Sequence, residues 1–419
     1  MSWLRRHSTP LLAIAYMLAA ALAVLLFDTT KTDLDVFFWP SAEVAAHGHL
    51  LLVYGLHSAT YPNANGPVSL LPLSLVAALA NLLGWQDVMR WRDALTVGLF
   101  TVFTVLLARE AVLAIERGRG QPTRRLLAAA VFLLGPPLWV ALVGFGHVEE
   151  PLELWLILLG VRLLGDARAL LAGICVGLAV MTRSASAVCL IPLLAALLFD
   201  RRWRAAAALS LATVLTVAVV VAPFLVADRS DVVFSLVTYR GALPIVGGSL
   251  WVAFAGAEWA GFVQHADTLI FAGAAAALSV AALAWRPHEG WASPRVYALL
   301  AMASACVPML AKTSWPYYLL DPYVFAALWW LAGPGRVVGW RASATLLLAA
   351  LGTVLAAVEP TLPLPAASGA VVGVVASAGM AVAIGLILAG WWSRPRPRVQ
   401  AASPPGPAGG GETRRAGSW

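Results

Sequence analysis

The stretch PVSLLPLSLVAALANLLGW, residues 67–85, decides how this chain sits in a membrane. It is apolar enough to cross a bilayer, yet Pro72 interrupts it. If it crosses, the side holding the N-terminus receives only a minority of the 28 Lys and Arg residues. If it dips into the interface and returns, that side collects 21 of them: Arg5, Arg6, the Arg109–Arg125 group, Arg162, Arg168, the Arg201–Arg204 group, Arg286, Arg295, Arg336, Arg341 and the C-terminal arginines. Seven stay opposite: Lys31, Arg90, Arg92, Arg183, Arg229, Arg240 and Lys312. Cytoplasmic loops carry the positive excess, so the charges select the dipping arrangement.

The rest of the composition agrees with a membrane setting. Hydrophobic residues make up 61% of the 419 and charged residues 12%, with a mean hydropathy of +0.82; this excludes an ordinary soluble domain. A spanning helix needs about 20 apolar residues, and the chain offers many such runs, from Leu11–Phe27 to Ser368–Trp392. The expectation is an all-α polytopic protein of about twelve spans, with both termini cytoplasmic and an uncleaved first helix. Three middle segments between Leu152 and Phe199 are shorter than a full span. Residues 1–392 read as one transmembrane domain, with a first outer loop at 28–92 and a second at 227–265. The tail 393–419, rich in Pro, Gly and Arg, reads as disordered. The formal charge of +7 collects in one set of loops, so it is not a nucleic-acid signature. Cys175, Cys189 and Cys306 lie in apolar segments and form neither a disulfide framework nor a zinc site.

With that orientation the chemistry-bearing residues share the outer face. The first is Thr32-Asp33-Leu34-Asp35-Val36-Phe37-Phe38-Trp39, just past the first span. On an extended segment the two aspartates face the same way; on a helix they diverge by about 200°. A hydrated helix end would also carry such acids. The long loop that follows, with His47, His49, His57, Tyr61 and Asn63-Ala64-Asn65, is more than a plain connector needs.

A second cluster is Gly144-Phe145-Gly146-His147-Val148-Glu149-Glu150-Pro151. Pro151 suits the first turn of a helix, and acids there suit its dipole. That accounts for Glu149 and Glu150 without function, but not for His147. The ligand spacing matches no known metal site. Arg183, Arg90, Arg92 and Lys312 stand on the outer face against the topological bias. Either nearby acids pair with them or a phosphate does. Trp315, Tyr317, Tyr318 and Tyr323 would stack on a sugar or belong to the interfacial aromatic belt.

These motifs resemble those of the class C glycosyltransferases, integral membrane enzymes that use polyprenyl-phosphate sugars on the non-cytoplasmic face. Asp33-Leu34-Asp35-Val36-Phe37 is similar to the acidic motif of that family's first outer loop, in polyprenol-phosphate-mannose-dependent mannosyltransferases above all. Gly146-His147-Val148-Glu149 is similar to a Gly-His-x-Asp element after the third span, with Glu149 in place of the Asp. The resemblance covers roughly residues 10–225. It implies transfer of a hexose, mannose first, from a polyprenyl-phosphate donor to a lipid-linked or cell-wall glycan acceptor in the cell membrane, with inversion. Asp33 would act as general base, Asp35 would orient the acceptor or exchange roles with it, and His147, Glu149 and Glu150 would contact substrate. Arg183, with Arg90, Arg92 or Lys312, would hold the phosphate. Phosphate is already a fair leaving group, so the chemistry requires no metal and no cofactor is expected. The rival class is a multi-span transporter or lipid flippase with outer-face acids, opposed by the lack of an internal repeat and of mid-helix charges.

Overall fold

A computed structural model describes residues 2–27, 33–54, 63–117, 122–333, 339–358 and 366–392. His57, Tyr61 and the tail 393–419 lie outside the described residues.

The described residues are mostly helical. In order, α1 is Ser2–Leu26, α2 Trp39–Ala46, α3 Leu70–Leu82, α4 Met89–Arg117, α5 Pro122–Leu134, α6 Pro136–Trp139, α7 Glu150–Gly165, α8 Ala169–Val180 and α9 Ala187–Phe199. Then follow α10 Trp203–Ala227, α11 Arg229–Val233, α12 Tyr239–Ala242, α13 Ala260–Trp285, α14 Arg295–Leu310, α15 Leu320–Ala332, α16 Trp340–Val358 and α17 Ala366–Trp392. Two short strands interrupt this order: β1 (Val246–Gly247) pairs in parallel with β2 (Thr313–Ser314), Val246 opposite Thr313.

Among the described residues six helical runs are long and apolar enough to cross a membrane, not twelve: Met89–Arg117, Leu127–Gly144, Trp203–Ala227, Ala260–Trp285, Trp340–Val358 and Gly369–Trp392. The difference has a geometric cause. The 12 residues of α8, 13 of α9 and 16 of α14, at about 1.5 Å each, reach only about 18–24 Å, short of a hydrocarbon core about 30 Å thick. Their apolar character has a second source. Every residue of α14 from Arg295 to Pro308 is buried, as is most of α15, so these helices face protein on all sides. They form the middle of the molecule.

The stretch over 67–85 becomes α3, too short to span. Leu71, Leu75, Leu79 and Leu82 point outward from it, while Leu70, Leu73, Val76, Ala77 and Ala80 pack inward. Further along, Gly173 and Gly177 stand four apart on α8, and α10 packs directly against them. A Cβ at Gly173 would lie 2.5 Å from the Leu209 carbonyl oxygen. Thr213 Oγ donates to the Gly173 carbonyl at 3.1 Å. This is close helix approach through small residues, as membrane helices use it.

Helix α4 links the two ends of the molecule. Near its start Arg92 bonds Asp35; at its end Arg117 meets Asp166 at 3.3 Å. Around that second end gather Arg162 with Glu110 at 2.7 Å, His288 with Asp200 at 3.6 Å and Arg295 with Glu289 at 2.5 Å. A cavity of about 20 Å³ lies there, between Glu110, Arg117, Arg162, Trp291 and Tyr297, with room for about one water molecule. The first end holds the acids and histidine of the outer motifs.

Candidate active site

Asp33 stands at the head of a short π-helical turn, Leu34–Phe38. Another, Val140–Gly144, leads into the turn that carries His147. Such wide turns recur at functional sites, because the extra residue re-aims side chains. The two segments are joined through the backbone: Asp33 N–H donates to the Phe145 carbonyl at 3.0 Å, and His147 N–H to that of Ala141 at 2.9 Å. Between them Gly146 adopts φ 72°, a left-handed conformation that glycine takes without strain.

This frame puts an imidazole between two carboxylates. His147 Nε2 lies 2.8 Å from Asp33 Oδ2, and its Nδ1 lies 2.7 Å from Glu149 Oε1. Asn65 Nδ2 donates to the same Glu149 oxygen at 3.1 Å. Tyr317 stacks on the imidazole, centroids 3.7 Å apart, and its hydroxyl donates to Asp33 Oδ2 at 3.3 Å. Burial alone would push the His147 pKa down; Glu149 and then Asp33 more than reverse that and hold it well above the ordinary imidazole value. His147 is therefore an imidazolium at neutral pH, donating from both nitrogens. Within this group Asp33 alone reaches the surface appreciably. Its side chain is 29% exposed against 8% for His147 and 1% for Glu149. Among the described residues Oδ1 of Asp33 has no partner, so one carboxylate oxygen is held and the other is open.

Asp35 does not share this site. The intervening turn is helical, so the two acids diverge, and Asp35 forms a buried ion pair with Arg92. Arg92 also donates to Asp93 at 3.2 Å, and its guanidinium lies 4.6 Å from the centre of the Trp39 ring. Here the charges serve to hold α4 against the start of α2.

The remaining residues singled out from sequence separate in the same way. Arg183 is enclosed by three carboxylates: Glu150 at 3.2 Å, Asp321 at 3.3 Å and Glu153 at 3.6 Å. Glu150 thus belongs with Arg183 and not with His147. Lys312 Nζ donates to the carbonyls of Gly241 at 2.7 Å and Gln264 at 2.5 Å. It clips the second outer loop beside the β1–β2 pair. Trp315 is half-buried in the turn ahead of Tyr317, and Arg90 is exposed at the start of α4.

Glu153 and Asp321 were not among the residues chosen from sequence, and Asn65 was noted only as part of the long first outer loop. For Glu153 and Asp321 a signal existed, since an acid inside an otherwise apolar helix is expensive and has a partner. The sequence marks the loop of Asn65 but gives it no role; it reaches the site because that loop is pinned: Val68 N–H donates to the Met181 carbonyl at 3.1 Å, and Tyr54 OH to the Asn65 carbonyl at 2.9 Å.

Segments 33–35, 63–68, 144–150, 181–183 and 312–321, far apart in sequence, thus meet at one end of the helical assembly. No protein-family profile matches the chain, and no curated protein matches it.

Proposed function

We propose that this protein is a membrane glycosyltransferase that moves a hexose, mannose first, from a polyprenyl-phosphate donor to a lipid-linked or cell-wall glycan. The reaction takes place on the non-cytoplasmic face of the cell membrane. The observation that carries the reading is the state of Asp33, with one oxygen fixed by His147 and Tyr317 and the other without a partner among the described residues, on a side chain 29% exposed. The similarity of the 33–37 and 146–149 motifs to those of class C glycosyltransferases supports it, as does the partition of basic residues between the two faces.

The mechanism is a direct displacement. The acceptor hydroxyl approaches the open oxygen of Asp33, which takes its proton as the hydroxyl oxygen attacks the anomeric carbon. The bond from that carbon to the phosphate oxygen breaks, and its electron pair leaves with the polyprenyl phosphate. One displacement inverts the anomeric configuration. His147 and Tyr317 fix the plane of the Asp33 carboxylate through Oδ2, while Glu149 and Asn65 fix His147. Positive charge for the departing phosphate comes from His147 and from Arg90, which is exposed at the mouth of α4. Arg183 and Lys312, both satisfied within the protein, fill structural roles.

The test is direct. Purified protein is incubated with a radiolabelled polyprenyl-phosphate hexose and a lipid acceptor extract, and the glycolipids are separated. Label should appear in an acceptor lipid. If no sugar moves while the protein carries an ion or lipid across vesicle membranes, the transporter reading replaces this one.

A further inference from the structure

Behind the Asp33 site, four ionisable side chains share one enclosed space. Arg183, Glu150, Glu153 and Asp321 are 4%, 0%, 1% and 8% exposed. One guanidinium faces three carboxyl groups. The acids occupy the first turns of α7 and α15, and a helix N-terminus contributes about half a positive charge. Arg183 and the two helix ends therefore supply about +2 against −3 if every acid is ionised.

The groups packed around this space do not make up the difference. His147, on the turn before α7, is already shared between two carboxylates, Glu149 and Asp33, so that group has no positive charge to spare. Tyr317 and Tyr318, before α15, and Cys189 of α9 are neutral phenols and a thiol. The Tyr318 ring only faces the guanidinium, 4.9 Å from its centre. An uncompensated buried charge is among the costliest features a fold can hold, and a carboxyl relieves it by binding a proton.

Hydrogen-bond geometry points the same way by a separate route. Both carboxyl oxygens of Glu150 and both of Glu153 are buried without a formed hydrogen bond; Arg183 Nη1 faces one oxygen of each, at 3.2 and 3.6 Å, as an ion pair only. An ionised carboxylate can only accept, whereas a protonated one brings a donor of its own. The space is closed around the acids, so an occupant must need no room. We propose that Glu150, Glu153 and Asp321 share a bound proton at neutral pH, forming a buried proton-binding site behind Asp33. The two sites are in contact: Tyr318 lies against Arg183, Tyr317 packs edge-on to Tyr318 at 4.8 Å, and Tyr317 bonds Asp33. This assignment stands whether or not Asp33 serves glycosyl transfer.

Infrared spectroscopy of the full chain in lipid nanodiscs tests it without an activity assay. A protonated carboxyl has a carbonyl stretch above the carboxylate region, and that band shifts down in D2O. Wild-type protein at pH 7, about three units above ordinary carboxyl pKa values, should show such a band. Glu150→Gln, Glu153→Gln and Asp321→Asn each present an amide in the shape of the neutral acid. At least one should fold normally and remove the band; should one fail to fold, the other two carry the comparison. Absence of the band from wild type at pH 7 would overturn the proposal. So would a band that survives in every folded variant, or one abolished by sodium or calcium, which would make the occupant a metal cation.

Discussion

Asp33→Asn separates chemistry from folding. The amide has the size of the carboxylate and can turn its oxygen toward His147 Nε2 and Tyr317 OH, 2.8 and 3.3 Å away in the native site. What the fold loses is the difference between charge-assisted and neutral hydrogen bonds at a side chain 29% exposed, roughly 1–2 kcal/mol. The reaction loses its base. General base catalysis contributes about 10²–10⁴-fold, or about 3–5 kcal/mol of barrier at about 1.4 kcal/mol per tenfold. The variant should therefore purify as a folded protein with a modestly lowered Tm, while transfer from labelled polyprenyl-phosphate hexose falls at least a hundredfold. Thermal unfolding and glycolipid separation, run on the same preparation, give both numbers. A folded variant that keeps more than about a tenth of wild-type transfer would refute the assignment, because no base is worth so little.

Asp35→Asn breaks the buried pair with Arg92 and should lower Tm more than it lowers the rate; the reverse ranking of the two variants would make Asp35 the base. The raised pKa of His147 has a definite sign for stability: its contribution is full below the ordinary imidazole value of about 6.5 and is lost as pH rises through the higher folded value. Wild type should thus exceed His147→Gln in Tm at pH 6 by more than at alkaline pH, and a gap that widened with pH would contradict the charge state assigned here. For sidedness, Asp87→Cys should react with an impermeant thiol reagent in intact cells, and Arg204→Cys only after the membrane is opened. The native Cys175, Cys189 and Cys306 are buried and give no background. Labelling of Arg204→Cys alone in intact cells would invert the topology.

The helical, membrane-bound character was readable from composition, and so was the special status of 67–85, which Pro72 and the charge balance mark. The meeting of Asp33 with His147 and Glu149 was legible as loops sharing a face, though not as a hydrogen-bonded chain. Three things were hidden. Hydropathy cannot tell a helix that faces lipid from one wrapped in protein, so α14 and α15 read as ordinary spans. Ion pairing acts between distant positions: Asp321 stands 138 residues beyond Arg183, and without it Arg183 resembles a phosphate ligand. Lys312 is satisfied by backbone carbonyls, which carry no sequence signature at all.

The length of chain between site partners matters for how the protein is made. Asp33 meets His147 114 residues later and Tyr317 284 residues later. At synthesis rates of about 5–20 residues per second, Asp33 waits roughly 15–60 s for Tyr317. An N-terminal half can insert its helices and bring Asp33 to His147 while the ribosome is still working, but the stacked phenol that closes the site arrives only with the last third of the chain. Assembly of this centre is therefore a late event in biosynthesis, and a chain cut short before residue 312 would have a scaffold and half a site.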